Sequence, residues 1–119
     1  MPIKKNNPVM MSKVSNTGTQ VSSAIDASQI FSGSIQAEFT DSSAAGTLVL
    51  QASNDPIEEL PKGEAPQNWS DIADASATVS SGALTLISVP VLNYRWLRCK
   101  WTRSGGGGTF DVNGFFQAN

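Results

Sequence analysis

Tyr94-Arg95-Trp96-Leu97-Arg98-Cys99-Lys100-Trp101-Thr102 alternates strictly between two kinds of side chain. Successive side chains of a pleated strand point to opposite faces, so this period of two separates an inner set from an outer one. Leu97, Cys99 and Trp101 form the inner set, and Tyr94, Trp96, Arg98 and Lys100 the outer. After Ser104-Gly105-Gly106-Gly107-Gly108 the alternation resumes in Thr109-Phe110-Asp111-Val112-Asn113-Gly114-Phe115-Phe116. Two strands joined by a glycine hairpin follow. The glycine run lacks the Lys-Ser/Thr and following helix of a phosphate loop, and reads as a flexible tip.

The same pattern recurs upstream. Phe31 to Phe39 places apolar or small residues at odd positions and polar ones at even positions, the signature of a half-buried strand. Thr40 to Gly46 is a turn cluster, and Thr47 to Ala52 the next strand, closed by Ser53-Asn54-Asp55-Pro56. Residues 56–68 hold three prolines and three glutamates, which suits a long surface loop, with Trp69 and Ile72 pinning its return onto the core. Asp71 to Ala75 has the spacing of a single helical turn. Ala77 to Val79 and Ala83 to Val89 are short strands around Ser80-Ser81-Gly82, with Pro90 at the end of that run. A weaker strand near Thr19 to Ser23 brings the count to seven or eight.

Short strands between Gly/Ser/Asn turns predict one all-β domain, an antiparallel β-sandwich of jelly-roll type over residues 19–119. Its expected core is Phe31, Ile35, Phe39, Leu48, Leu50, Leu84, Leu86, Leu97, Trp101, Phe110, Val112 and Phe116. Residues 1–18 are polar and read as an extended N-terminal arm, disordered alone or ordered only against a partner. Lys4, Lys5 and Lys13 make it basic, and Val9, Met10 and Met11 supply an apolar anchor.

Composition narrows the function. The chain has 119 residues, a net charge of −2 and no histidine. The acidic balance argues against a nucleic-acid binder, and the missing histidine removes the usual general base and the commonest metal ligand. The single cysteine, Cys99, pairs with nothing in its own chain and sits among the inner residues. The first residues lack the apolar run of a signal peptide, and no stretch is long enough for a membrane span, so folding in a cytoplasm is expected.

Candidate chemical sites are weak. Asp41, Asn54, Asp55, Asp71 and Asp74 have no calcium-loop spacing and are explained as turn formers. Glu58 and Glu59 are adjacent within the proline-rich loop, which suits solvation better than glycoside hydrolysis. No catalytic residue, cofactor or metal ligand is expected. The surface that stands out is Tyr94, Trp96, Arg98 and Lys100, because aromatic and Arg side chains are enriched where proteins meet.

Gly46-Thr47-Leu48-Val49-Leu50-Gln51-Ala52-Ser53-Asn54-Asp55, then Trp69-Ser70-Asp71-Ile72, then Tyr94-Arg95-Trp96-Leu97-Arg98 and Thr102-Arg103-Ser104-Gly105, follow one another in order. In these motifs residues 30–119 resemble small bacteriophage and prophage virion structural proteins. The resemblance implies a non-enzymatic subunit of a capsid, tail or spike, made in a bacterial host cytoplasm and contacting itself and other virion proteins. Its working surface is then expected at Tyr94, Trp96, Arg98 and Lys100, with Lys4, Lys5, Val9 and Met10 of the arm. A carbohydrate-binding β-sandwich module that docks a host-surface glycan is the alternative from another class.

Overall fold

A computed structural model of the chain describes residues 4–56 and 66–118. Ten strands run in chain order as β1 (Lys4–Asn6), β2 (Val9–Ser15), β3 (Gln20–Val21), β4 (Ile25–Asp26), β5 (Ile30–Phe39), β6 (Ala45–Ser53), β7 (Ser70–Val79), β8 (Thr85–Val89), β9 (Trp96–Gly105) and β10 (Thr109–Ala118). They form two antiparallel sheets. One has the order β1-β10-β5-β8 with β2 also on β10; the other has β3-β9-β6-β7 with β4 also on β9.

The pairings are nested. β2 pairs with β10, β3 and β4 with β9, β5 with β8, and β6 with β7. The chain is a long two-stranded ribbon rolled so that β10 also meets β5 and β9 also meets β6. That is the jelly-roll arrangement of a β-sandwich.

The core between the sheets is held by Trp101, Phe110, Phe116, Ile35, Leu48, Leu50, Leu97 and Val112, all at most 1% exposed. Phe39, Trp101 and Phe110 form an aromatic triangle with ring centroids 5.0 to 5.6 Å apart. The buried Trp101 indole donates to Asn16 Oδ1 at 2.8 Å, so its polar edge is satisfied within the core. Trp96 to Trp101 alternates half-buried and buried as expected from its sequence.

Four expectations are corrected. Leu84 and Leu86 are 65% and 66% exposed, while Thr85, Ile87 and Val89 of β8 face inward. Register decides this: Gly33, Ile35 and Ala37 of β5 lie opposite Val89, Ile87 and Thr85, and opposite residues share a face. Phe31 is only half-buried, because an irregularity where β10 passes from Gln117 to Ala118 turns Ile30 inward instead. Asp71 to Ala75 lies in β7 and makes no helical turn. A bulge opposite Val49 to Gln51, with Asp74 at φ 61°, sets Ile72 and Ala75 three residues apart on one face and imitates helical spacing.

The fourth concerns the arm. Residues 4–6 and 9–15 are strands β1 and β2 on β10, and Met10 and Met11 are buried in the chain's own core. Shifts in the β2–β10 register let these two consecutive side chains point the same way, which period-two reading misses.

Candidate assembly surface

β9 lies between β6 and the short β3 and β4, so its outward residues look away from the sandwich over sheet neighbours on both sides. Tyr94, which precedes the strand, and Trp96, Arg98 and Lys100 within it are all half-buried. The outer face is organised by cross-strand bonds. Arg98 Nε donates to Gln51 Oε1 at 2.8 Å, and Gln51 Nε2 donates to Asp71 Oδ1 at 2.8 Å. A cation on β9 is thus joined through an amide on β6 to an anion on β7. Gln51 can bridge because it carries both a donor and an acceptor, and only 6% of it remains exposed.

The returning loop closes over this row. The Arg98 guanidinium carbon lies 4.4 Å from the Trp69 ring centroid, a cation–π contact. Partial burial pulls the Arg98 pKa below its ordinary value, and the group stays a cation at neutral pH. Trp69 Nε1 donates to the Pro66 carbonyl at 2.8 Å, and Trp96 Nε1 to the Asp55 carbonyl at 3.2 Å.

Asp55 ties the two ends of the loop together. Its carboxylate accepts the Asn68 side-chain amide at 2.8 Å and the backbone amides of Gln67 at 2.7 Å and Asn68 at 3.1 Å. Those donors, led by the Asn68 side chain, hold the carboxyl below the usual carboxylate range. Asn54 Oδ1 accepts the Arg95 amide at 3.0 Å, joining the same corner to the start of β9. Beside it lies a cleft of about 240 Å³ lined by Ser53, Asn54, Asn68, Asp71, Ile72 and Tyr94 among others.

The structure therefore brings Trp96 and Arg98 together with Gln51, Asp71 and Trp69, partners that no local pattern announces. Lys100 continues the face opposite Val49. The arm residues do not join it. Lys4 and Lys5 are in β1 on the other sheet, Val9 is 64% exposed there, and Met10 is a core residue.

The remaining candidate groups are engaged elsewhere. Asp41 accepts the amides of Ser43 at 2.8 Å and Gly107 at 2.7 Å, at the far end of the sandwich from Asp55. Asp71 serves the Gln51 row, and among the described residues no three His, Cys, Asp or Glu side chains gather as a metal site would require. Cys99 is buried, and desolvation pushes its thiol up to about 11, against thiolate chemistry. Glu58 and Glu59 lie outside the described residues.

No family model matches the sequence, nor does any curated protein. Among solved structures, the SPBc2 prophage-derived protein YomS shares the fold at a TM-score of 0.60, with 7% identity over 99% of this chain and 96% of that one. A chain from infectious bursal disease virus Gx strain overlays at a TM-score of 0.48 and 9% identity, covering 98% of this chain and 32% of that one. This chain is therefore similar in fold, end to end, to a prophage-derived protein.

Proposed function

We propose that the protein is a non-enzymatic structural subunit of a phage particle, working through protein–protein contacts in a capsid, tail or spike. One observation carries the reading: the fold matches a prophage-derived protein across the whole length of both chains. The chemistry of the described residues agrees with it. Asp41 and Asp55 are occupied by backbone amides, Asp71 by Gln51, and the one thiol is buried. The contact surface is Trp96, Arg98 and Lys100 of β9, with Arg98 held by Gln51 and Trp69, and Tyr94 at its edge, where the ring also packs against the core.

Mass spectrometry of particles purified from the source strain tests the role. Many copies per particle are expected; absence of the chain from particles overturns it. Truncating an aromatic anchor at an interface commonly costs at least ~2 kcal/mol. Trp96→Ala should therefore weaken retention on the particle by roughly thirtyfold, since ~1.4 kcal/mol is tenfold. Retention equal to wild type would remove this face from the reading.

The cleft beside Tyr94 favours a second reading, a carbohydrate-binding module for a host-surface glycan. Beyond their bonds to Arg95, Asp55 and Gln51, Asn54 and Asn68 each keep part of an amide and Asp71 a second carboxylate oxygen for ring hydroxyls, next to an aromatic side chain. Titration with common pyranoses, followed by NMR, decides it: shifts confined to these residues support a sugar site, and none up to millimolar concentrations excludes it.

A further inference from the structure

Asn-Gly is the strongest short-range signal for a two-residue hairpin, and both residues are poorly suited to a strand interior. Asn113–Gly114, the chain's one Asn-Gly pair, nevertheless lies in the middle of β10. Packing accounts for the glycine. A methyl group at position 114 would come within 2.6 Å of Phe116 Cε2 and 3.2 Å of Pro8 Cγ. Nothing of the kind accounts for Asn113, which is exposed. Local choices that contradict the fold are expected where a site has a task beyond folding.

The Gly114 nitrogen is covered differently from its neighbours in the strand. The pairing of β2 with β10 stops at Asn113, opposite Val9, and β1 takes over at Phe116, opposite Asn6. Between them the Gly114 amide donates to the Pro8 carbonyl at 2.8 Å, so the linker Asn7-Pro8 alone covers it from that side. The register of β2 on β10 also shifts between Val112 and Asn113. On the other side Asn113 and Gly114 lie opposite Gln36 and Ile35 of the interior strand β5.

We propose that Asn113–Gly114 is a self-modification site held off by the Asn7-Pro8 linker, and that lifting of the N-terminal strands releases it. The Gly114 nitrogen gives up its proton to solvent base and attacks Asn113 Cγ. The bond from Cγ to the side-chain nitrogen breaks, and ammonia leaves with a proton taken from water. One water then opens the cyclic imide that remains, at Cγ to give aspartate or at the main-chain carbonyl carbon to give isoaspartate. A following glycine favours the closure because it has no side chain to hinder it. With its proton on Pro8 and paired strands on both sides, the nitrogen is kept from Cγ. With β1 and β2 lifted, β10 becomes an edge strand and the nitrogen is free to reach it. Either product places a carboxylate on the face that carries Asp111, itself opposite Glu38. Isoaspartate also adds one atom to the main chain between Val112 and Phe116, both core residues. Like charges at neighbouring positions and a lengthened strand both oppose reclosure. The site therefore records, irreversibly, that the N-terminal edge has opened. This inference goes beyond the assembly role and stands or falls separately from it.

Incubation of the full chain in mildly alkaline buffer, followed by peptide mapping, tests it. Conversion at Asn113 should be slower by roughly a hundredfold or more in the folded chain than in denaturant, because it must wait for local opening. Pro8→Gly removes the ring that stiffens the linker, and should raise conversion roughly tenfold together with hydrogen exchange of the Gly114 amide. Where that variant folds poorly, the wild-type chain below its unfolding transition gives the same reading: conversion and Gly114 exchange rise in parallel as denaturant is added. Three results overturn the inference. They are conversion at the unfolded rate in the folded chain, conversion at the parent rate in folded Pro8→Gly, and Gly114 exchange that quickens with denaturant while Asn113 stays intact.

Discussion

The two ends of the sandwich are closed by different means. At one end, Asp41 to Ala44 lies between Gly82 and Gly106 to Gly108 so closely that backbone touches backbone. Gly82 N donates to Ala44 O at 2.8 Å, and a methyl group on Gly106 would come within 2.5 Å of the Ser43 carbonyl oxygen. At the other end Asp55, Asn68, Trp69, Trp96 and Arg98 are joined by side chains, beside a cleft lined by Asn54, Asn68, Asp71 and Tyr94. At the first end main chain lies against main chain, where an added side chain has no room. The second is bridged by long polar and aromatic side chains. The first should answer to changes of backbone space and the second to changes of side-chain chemistry.

Three measurements put this contrast to the test. Trp101 stands behind the glycine end, 0% exposed, against Phe39 and Phe110 and bonded to Asn16. Trp101→Ala should cost about 3–5 kcal/mol in denaturant unfolding. A midpoint close to wild type would mean that the aromatic triangle is not what holds the sheets together.

Next comes the glycine loop. Gly106 has φ 79°, where side chains are disfavoured, and its missing methyl is replaced by the Ser43 and Ala44 backbone. Gly106→Ala should lose about 1–3 kcal/mol. Gly107→Ala, whose new methyl would first meet Asp41 Oδ2 at 3.7 Å, should stay within about 0.5 kcal/mol of wild type. Equal effects at the two positions would mean that the loop is the loose tip its composition suggests.

The smallest effect distinguishes the ends by titration. Both Asp41 and Asp55 have folded pKa values lowered from 3.8, the first by the amides of Ser43 and Gly107, the second chiefly by Asn68. A depressed carboxylate contributes stability that is present above its unfolded pKa and fades as pH falls through its folded one. Stability should hold to about pH 4 and decline below it. By NMR, the Ser43 and Gly107 amides should report the Asp41 step, and the Gln67 and Asn68 amides the Asp55 step. Asp41→Asn and Asp55→Asn should each abolish only the step at its own end.

How much of this was readable in the sequence depends on how many faces a stretch leaves open. β9 sets both of its central cations, Arg98 and Lys100, at one parity and Leu97, Cys99 and Trp101 at the other, so its facing follows from parity alone, and Trp101 and Phe110 fall into the core without further information. β8 does not, because Leu84 and Leu86 are as apolar as Ile87 and Val89; the register against β5 settles the matter. β2 and β7 escape because each bulge resets the alternation midway. The glycine run misleads for a different reason: what packs there is the space left by an absent side chain. At the candidate surface, parity finds Trp96, Arg98 and Lys100, whereas Gln51 and Asp71 belong to it only through pairing across three strands.

The rolled ribbon also governs the order in which the molecule can come into being. β10 lies at the centre of its sheet, between β5 on one side and the β1–β2 segment on the other. Those neighbours belong to the first third of the chain, while β10 is its last strand. On a ribosome, β2 with Met10 and Met11 therefore emerges long before the strand it pairs with, and β5 has only β8 beside it until Thr109 to Ala118 follows. Long-range pairing of this kind is slow to form and leaves apolar strands uncovered meanwhile. Completion of this sheet thus waits on β10, and the pairing of its first strands with its middle comes into existence only once the whole of β10 has been made.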